Sequence, residues 1–196
     1  MKVIFEKVLP HGSFRTYSEK PNINNIVELE QSHSSIVSTF KSNQDKFKAD
    51  GIQFNLVDIK DYNFAIKTAD CIPILFIGEK QAAFIHAGWR GIENRISFNP
   101  KVQSIKAHTI FLGPSIQKQA FQVTSDFREY FPSSNFFLDV ENKLFFDLQA
   151  EITSQLKVEY PSAKIYDSAE CTYQEKKYNS YRRNKTNKRN WNIFSI

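Results

Sequence analysis

Residues 63–91 read NFAIKTADCIPILFIGEKQAAFIHAGWRG and carry the pattern that decides the fold. Two apolar runs, Ile72–Ile77 and Ala82–Ile85, flank a short polar turn, which predicts a β-hairpin. Antiparallel pairing around this turn gives partners whose residue numbers sum to about 157–159. That register places Cys71 beside His86 or its neighbour, and opposed residues hold their Cβ atoms roughly 4.5–5.5 Å apart. A thiolate and an imidazole at this spacing can share one metal ion.

Either side chain alone would more often be structural, as a small core cysteine or a strand-end histidine. Their pairing at the open end of one hairpin, followed by Gly-Trp-Arg-Gly, favours a functional site. A hairpin is also a rigid support, so the pair would be held in place before any ligand binds.

Five short motifs resemble those of the YfiH-type family, also called laccase-domain or polyphenol-oxidase-like proteins. They are QSH at 31–33, TADC at 68–71, HAGWRG at 86–91, and CTY with NSYRR between 171 and 183. Studied members of that family act as purine nucleoside phosphorylases with adenosine deaminase side activity, so the resemblance implies the same activity here. It also implies that His33, Cys71 and His86 bind one metal ion.

Length and composition favour one globular unit. The chain has 196 residues, of which 41% are hydrophobic, enough for a packed core. We therefore expect residues 1–196 to form a single catalytic domain. The net charge of +5 is a mild excess that suits anionic partners such as phosphate and nucleotides. The two cysteines, Cys71 and Cys171, do not indicate a disulfide framework, so a reducing, cytoplasmic location is predicted.

Strands and helices interleave without a regular βαβ repeat, which predicts an α+β fold with a mixed sheet core. The resemblance refines this expectation to a sandwich of mixed β-sheets flanked by helices. The N-terminal segment His11–Thr16 resembles a shortened form of a longer segment in the family. No apolar stretch approaches the roughly 20 residues of a membrane helix. The periodicity predicts strands at 1–9, 24–31, 72–77, 82–85, 109–112, 138–140 and 163–166. It also predicts a helix at 117–131 and an amphipathic helix that carries Leu144, Leu148, Ile152 and Leu156. A short helical segment after the hairpin must end by Asn99.

Two imidazoles and a thiolate form a borderline-soft ligand set that suits zinc, with copper as the alternative. Three protein ligands leave the fourth tetrahedral position open, as in catalytic zinc sites. Such a zinc can lower the pKa of bound water to about 7, which suits adenosine deamination. The zinc-deaminase signature His-x-Glu with Pro-Cys-x-x-Cys is absent from the sequence. Asp70 and Glu170 are the acid–base candidates, although each can equally be a structural turn residue.

Phosphorolysis requires cations and N–H groups for the incoming phosphate. Arg90 lies where a glycine-flanked turn opens a helix, and its guanidinium can bind phosphate with two parallel hydrogen bonds. Arg182 and Arg183 match the Ser-x-Arg-Arg motif of the family. We therefore predict Cys71, Arg90 and Asp70 as catalytic residues and Arg90, Arg182 and Arg183 as phosphate ligands. The alternatives are a structural role for Arg90 and a solvated basic tail for the other two.

Three other function classes remain open. Multicopper oxidation needs many more histidines than the four present, but a single-copper oxidoreductase could use the same three ligands. A Cys71–His86 dyad would suit a hydrolase acting on amide bonds. Some bacterial members of the family that the motifs resemble are linked to editing of peptidoglycan precursors, so the resemblance implies such a substrate for this alternative. The basic segment 182–189, with Tyr181 and Trp191, has the composition used on single-stranded nucleic acid.

A charged, solvated terminus is the commoner meaning of such a segment, so nucleic acid is not the expected partner. We expect purine nucleosides and phosphate as ligands, no membrane association, and a monomer or weak homo-oligomer. Cys171 is interpreted as a buried core thiol.

Overall fold

The computed structural model describes residues 2–42 and 47–196, which form two large mixed β-sheets, one small sheet and a few short helices. The strands are, in chain order, β1 (Val3–Leu9), β2 (Gly12–Tyr17), β3 (Ile26–Glu30), β4 (Val37–Thr39), β5 (Phe47–Lys48), β6 (Gly51–Asn55), β7 (Asn63–Thr68), β8 (Ile72–Ile77), β9 (Gln81–Ala87), β10 (Thr109–Leu112), β11 (Gln122–Val123), β12 (Phe137–Val140), β13 (Lys143–Phe146), β14 (Lys164–Asp167) and β15 (Asn190–Ser195). The α-helices are α1 (Trp89–Glu93), α2 (Pro100–Gln103), α3 (Leu148–Glu159) and α4 (Tyr181–Asn184).

The first sheet has the strand order β1-β2-β15-β7-β3-β5, and the second has the order β14-β10-β8-β9-β6-β4. A third, small sheet has the order β11-β13-β12. The predicted hairpin is β8–β9, with Ile72 opposite Ala87 and Pro73 opposite His86. This register is the upper end of the predicted range. Both large sheets contain parallel and antiparallel pairs, so the predicted α+β fold with mixed sheets is confirmed.

The two large sheets share an aromatic core. Phe14 of the first sheet lies 4.9 Å from Phe111 and 5.8 Å from Phe84 of the second, measured between ring centroids. Phe54 of the second sheet stacks on Phe64 of the first at 4.0 Å. All these rings are fully buried. Aromatic pairs at such distances stabilise beyond the area that they bury, so this layer fixes how the sheets sit on each other.

The opposite face of the second sheet is covered by helices and the small sheet. Ile74 and Phe76 of β8 pack there with Ile92 of α1 and with Ile152 and Leu156 of α3. Because this sheet is buried on both faces, β8 and β9 appear in the sequence as continuous apolar runs without alternation.

Three connections cross from the first sheet to the second at the same end of the sandwich. In the first sheet β3 pairs in parallel with both β5 and β7. In the second sheet β4, β6 and β8 also run parallel to one another, since β4 pairs in parallel with β6, and β6 and β8 are both antiparallel to β9. Each strand of the first trio is followed in the chain by one of the second. The connections are residues 31–36, 49–50 and 69–71, which therefore gather at one edge.

The predicted helix over Gln117–Phe131 is wrong. Residues 122–123 form β11, which pairs with β13, and Ser125–Tyr130 is a 3-10 helix. Two phenylalanines of this segment converge on one ring, since the ring centroids of Phe127 and Phe131 lie 5.4 and 4.7 Å from that of Phe146. Their spacing reflects packing of an irregular segment around a buried aromatic side chain.

The second predicted helix begins later than expected. Leu144 belongs to β13, and α3 starts at Leu148. The side chain of Asp147 accepts a hydrogen bond from the backbone N–H of Ala150, which caps the helix at its true start. Ile152 lies on the buried face as predicted. None of the helices in the described part of the chain has the length and apolar character needed to cross a membrane.

The C-terminal segment is not the solvated basic tail that its composition suggested. Its basic part contains α4, and β15 inserts between β2 and β7 in the middle of the first sheet. Asn192 is fully buried in β15, where its side chain donates to the carbonyl of Ile66 at 2.9 Å and accepts from Thr16 at 2.9 Å. Two asparagines in this strand, Asn190 and Asn192, conceal its apolar alternation in the sequence.

Phe194→Ala should lower the free energy of unfolding by about 3–5 kcal/mol, because it empties a fully buried site in the central strand. Urea denaturation would measure the loss. Ile196→Ala is the matched control, since Ile196 is 49% exposed and its truncation should change stability by less than about 0.5 kcal/mol. Equal stability of the two variants would contradict the placement of β15 inside the sheet.

Candidate metal centre and active-site cleft

His33, Cys71 and His86 come together at the edge where the chain crosses between the sheets. Their ligand atoms all lie within 4.8 Å of one another. The two imidazole rings are oriented edge to face, with their centroids 4.8 Å apart. His86 is buried on β9, Cys71 is half-buried, and His33 is exposed. Two of the crossing connections and one strand of the hairpin therefore supply the three side chains.

The backbone around this cluster adopts unusual conformations. His33 has φ of 63° and Asp70 has φ of 95°, values that non-glycine residues rarely adopt and that the surrounding structure must support. Gly88 of the HAGWRG motif lies directly against the cluster. A Cβ atom at position 88 would lie 3.1 Å from the sulfur of Cys71 and 3.1 Å from Cδ2 of His33. Glycine at this position therefore permits the close approach of the two side chains.

Asp50 organises the cluster, and sequence reasoning missed it. Its buried carboxylate accepts hydrogen bonds from the backbone N–H groups of His33 at 3.0 Å and Ser34 at 2.6 Å. The same carboxylate lies 2.8 Å from Nδ1 of His86. One side chain thus holds both the loop that carries the first histidine and the ring of the second. Asp50 lies on the shortest crossing connection, in a stretch of polar residues where no motif marks it.

Asp50, His86 and Cys71 influence one another's protonation. Burial alone would raise the pKa of Asp50, but hydrogen bonds from His86 and Ser34 hold it well below its usual range. Because Asp50 stays ionised, Nδ1 of His86 is the donor, which leaves Nε2 to face Cys71. Burial also opposes ionisation of Cys71, yet the neighbouring charge of His86 and hydrogen bonds from both histidines lower its pKa to about 6. Without a metal, Cys71 is therefore a thiolate at neutral pH.

The donor set suits a borderline metal such as zinc. Zinc bond lengths of 2.0–2.3 Å place tetrahedral ligand atoms roughly 3.3–3.8 Å apart. The ligand atoms here lie within 4.8 Å of one another, so small side-chain rotations bring them to that spacing. The hydrogen bond from His86 to Asp50 is the kind of outer contact that orients metal-bound histidines.

The cluster opens into a cleft of about 660 Å³, a volume in the range of small-molecule sites. The walls combine aromatic, cationic and polar side chains from both large sheets and the C-terminal segment. They include Gln31, Lys67, Trp89, Phe121, Tyr181 and Arg189.

Two of the three predicted arginines line the cleft, and the third holds a neighbouring loop. Arg90 lines the cleft with its guanidinium stacked on Trp89, 4.4 Å from the ring centroid. Arg182 also lines the cleft, where it donates to the carbonyl of Gln122 at 2.6 Å. Arg183 lies outside the lining, because its guanidinium donates to the backbone carbonyls of Thr172, Tyr173 and Tyr178. It holds the loop before α4.

The two acid–base candidates also occupy different places. Asp70 lines the cleft, but its oxygens accept hydrogen bonds from the hydroxyl of Thr172 and the backbone N–H of Arg182, each at 2.7 Å. Glu170 lies outside the lining and is paired with Lys177 and with the hydroxyl of Tyr178. Cys171 is buried, as predicted.

These features define an α+β protein in which two mixed sheets carry a His-Cys-His cluster at the base of a cleft. The chain belongs to the YfiH-type, laccase-domain family: the family model described as "Multi-copper polyphenol oxidoreductase laccase" matches residues 14–194. A Neisseria meningitidis protein of known structure superposes with a TM-score of 0.74 and 28% identity, covering 88% of this chain and 75% of its own. A hypothetical YfiH protein of Bacillus licheniformis, at 16% identity, shares the fold with a TM-score of 0.76, covering 94% and 92%.

Similar proteins include named enzymes. A purine nucleoside phosphorylase of Aquifex aeolicus is 28% identical over 181 residues, which cover 90% of this chain and 84% of the relative. The purine nucleoside phosphorylase YfiH of Escherichia coli is 34% identical over 136 residues, covering 62% of this chain and 54% of the relative. Adenosine deaminase RL5, from an unknown prokaryotic organism, is 27% identical over 181 residues, covering 77% and 66%.

Asp50→Asn should weaken zinc binding by roughly 10–100-fold, because it removes the charge that orients His86 and anchors the His33 loop. Competition with a chromogenic chelator would measure the affinity, and thermal unfolding of the metal-free variant would report any general loss of stability. Asp58→Asn is the matched control, since Asp58 makes its hydrogen bond to Asn55 at the surface. Unchanged affinity in a folded Asp50→Asn protein would contradict the assigned role.

In metal-free protein, the alkylation rate of Cys71 should be half-maximal near pH 6, because the thiolate is the nucleophile and its pKa is lowered to about 6. The rate should fall as pH decreases through this value, as the thiolate becomes protonated. Iodoacetamide labelling followed by peptide mass spectrometry would measure it, with buried Cys171 as the internal control. A midpoint near the ordinary cysteine pKa of about 8.5 would show that the histidines do not stabilise the thiolate.

Proposed function

We propose that the protein is a zinc-dependent purine nucleoside phosphorylase that splits adenosine, inosine or methylthioadenosine with phosphate, with adenosine deamination as a side activity. The observation that carries the proposal is the set of three ligand atoms within 4.8 Å of one another, in a cleft that also presents Arg90. The names of the Aquifex and Escherichia coli relatives support phosphorolysis, and that of RL5 supports deamination.

The cleft has the size and lining that a nucleoside needs. Its volume of about 660 Å³ suits a ligand of this class, and Phe121 and Tyr181 line it with aromatic rings that a purine could contact. Gln31 adds an amide to the wall, but its side chain already bonds to the backbone of Lys67 in both directions, at 2.8 Å. Stacking therefore supplies most of the base recognition in this proposal.

His33, Cys71 and His86 would hold the metal. Zinc fits the two imidazoles and the thiolate, and copper would fit the same donors. When bound in such an open site, zinc supplies Lewis-acid polarisation of a coordinated oxygen. The protein contributes the fixed orientation of the ligands, through Asp50 and the close contact at Gly88.

Arg90 is the residue we assign to phosphate. Its guanidinium makes no ion pair within the described part of the chain, and stacking on Trp89 holds its plane in position. A preoriented guanidinium can bind two phosphate oxygens at once. Arg182 would add a second cation, with one nitrogen committed to the carbonyl of Gln122 and the others available.

We assign Asp70 a positioning role. Its hydrogen bonds to the backbone of Arg182 and to Thr172 fix the start of α4 over the cleft, so its carboxylate is already occupied. Residues 1–196 would act as one catalytic unit, because the proposed metal ligands come from connections between the sheets and from the second sheet. Lys67 enters the cleft from the first sheet, and Arg189 enters it from the segment before β15.

A Cys–His hydrolase acting on amide bonds is the second candidate. The observation that favours it is the position of Cys71, whose sulfur lies within 4.8 Å of a ring nitrogen of His86. The lowered pKa of Cys71 agrees with an activated thiol nucleophile. In that case the metal-free protein would be the active form. A stable covalent adduct at Cys71 with an amide-directed electrophile, formed by metal-free and active enzyme, would favour this candidate over phosphorolysis.

Incubation with adenosine, with and without phosphate, should distinguish the reactions. Phosphorolysis releases adenine only when phosphate is present, whereas deamination yields inosine in either condition, and chromatography resolves the products. Cys71→Ala should lose stoichiometric zinc and activity together, while Cys171→Ser should keep both. Arg90→Ala should retain zinc but raise the KM for phosphate by roughly 10–100-fold, since a charge-assisted contact is lost.

Arg128→Ala is the control for Arg90→Ala, because Arg128 pairs with Asp139 on the surface away from the cleft. A Cys71→Ala protein that retains full zinc and full activity would overturn the proposal. Production of adenine in the absence of phosphate would instead indicate a hydrolytic nucleosidase.

A further inference from the structure

A second groove, the Trp191 groove, adjoins the active-site cleft. It has a volume of about 490 Å³ and shares Lys67, Asn187 and Arg189 with the cleft lining. Its other wall residues include Lys20, Lys188 and Trp191. A ligand that extends out of the cleft past these shared residues would therefore reach the groove.

The Trp191 groove carries an excess of positive charge. Lys20 and Lys67 share a single carboxylate, that of Glu28, at 2.5 and 3.1 Å. Within the part of the chain that the structure describes, neither Lys188 nor Arg189 forms an ion pair. Four cationic side chains thus face one paired carboxylate and one exposed acid on the rim, Glu19. Clefts lined by one sign of charge concentrate ligands of the opposite sign.

The cations are arranged around a fixed aromatic surface. Trp191 lies on β15, paired with Tyr17 on one side and Lys67 on the other. The ammonium groups of Lys20 and Lys67 each lie 5.4 Å from the centroid of its ring. Cation–π contacts of this kind hold flexible lysines near one position, so less freedom is lost when they bind an anion.

We propose that the Trp191 groove binds the phosphate groups of a nucleotide whose nucleoside part occupies the cleft. The ligand class is thus a nucleoside 5′-diphosphate or a similar phosphorylated nucleoside, in addition to the free nucleoside. Lysine and arginine side chains bind phosphate well, and Lys67 and Arg189 line both the groove and the cleft proposed for the nucleoside. The inference rests on the proposed function, because it places the nucleoside in the same cleft.

Isothermal titration calorimetry with inosine and inosine 5′-diphosphate in phosphate-free buffer tests the proposal. Inosine cannot be deaminated, and neither ligand can be phosphorolysed without phosphate, so binding is measured without turnover. The diphosphate should bind about tenfold or more tightly than inosine, and this advantage should decrease with added salt. Lys20→Ala/Lys188→Ala should remove the advantage while leaving the affinity for inosine and the rate of nucleoside phosphorolysis unchanged.

Lys157→Ala/Lys164→Ala is the matched control, since it removes the same charge at exposed positions outside the groove, and it should retain the advantage of the diphosphate. Equal affinities of the wild type for inosine and its diphosphate would overturn the proposal. Displacement of the diphosphate by pyrophosphate but not by inosine would also overturn it, by identifying a site for free phosphate. A single-stranded oligonucleotide that binds more tightly than the diphosphate and depends on Lys20 and Lys188 would assign the groove to nucleic acid instead.

This outcome is separable from that of the proposed function. Diphosphate binding that depends on Lys20 and Lys188, in a protein that releases no purine base from nucleosides, would support the groove and reject the phosphorylase. Phosphorolysis of nucleosides by a protein that binds the diphosphate no more tightly than inosine would support the phosphorylase and reject the nucleotide-binding groove.

Discussion

The candidate site depends on one buried carboxylate. Asp50 is fully buried, yet it remains ionised because it accepts N–H groups from the His33 loop and a ring N–H from His86. A buried charge without partners would be very unfavourable, so the loop and the ring are both held to it. These hydrogen bonds fix the positions of two prospective metal ligands relative to each other and orient Nε2 of His86 toward Cys71.

The fold explains why these groups meet. Three successive pairs of strands cross from the first sheet to the second at one end of the sandwich, and His33, Asp50 and Cys71 lie on those three connections. The backbone adopts left-handed conformations on two of these connections, at His33 and at Asp70. The C-terminal segment then completes the cleft through α4 and the residues leading into β15. The site is thus assembled from parts of the chain that are distant in sequence but follow from one repeated topological feature.

The sequence allowed prediction of the hairpin and of the grouping of His33, Cys71 and His86, but not of the contacts that support this cluster. The β8–β9 hairpin was readable because both strands are buried on both faces and bounded by a polar turn. The grouping of His33 with Cys71 came from motif resemblance, since nothing in local spacing links residues so far apart. Asp50 escaped notice because its role arises from tertiary hydrogen bonds. β15 was obscured by Asn192, whose polar side chain is satisfied only inside the assembled sheet.

The order of strands in the first sheet has a kinetic consequence. β15 lies between β2 and β7, so residues near position 15 pair with residues near position 193, and the sheet cannot close until these distant segments meet. Pairing across such long loops carries a large entropic cost before stabilising contacts form, which is the general cause of slow folding in β-rich topologies. Until that step, β2 and β7 expose unpaired edges that can associate with other chains. Refolding yield should therefore fall as protein concentration rises, for reasons of connectivity and independently of the metal site.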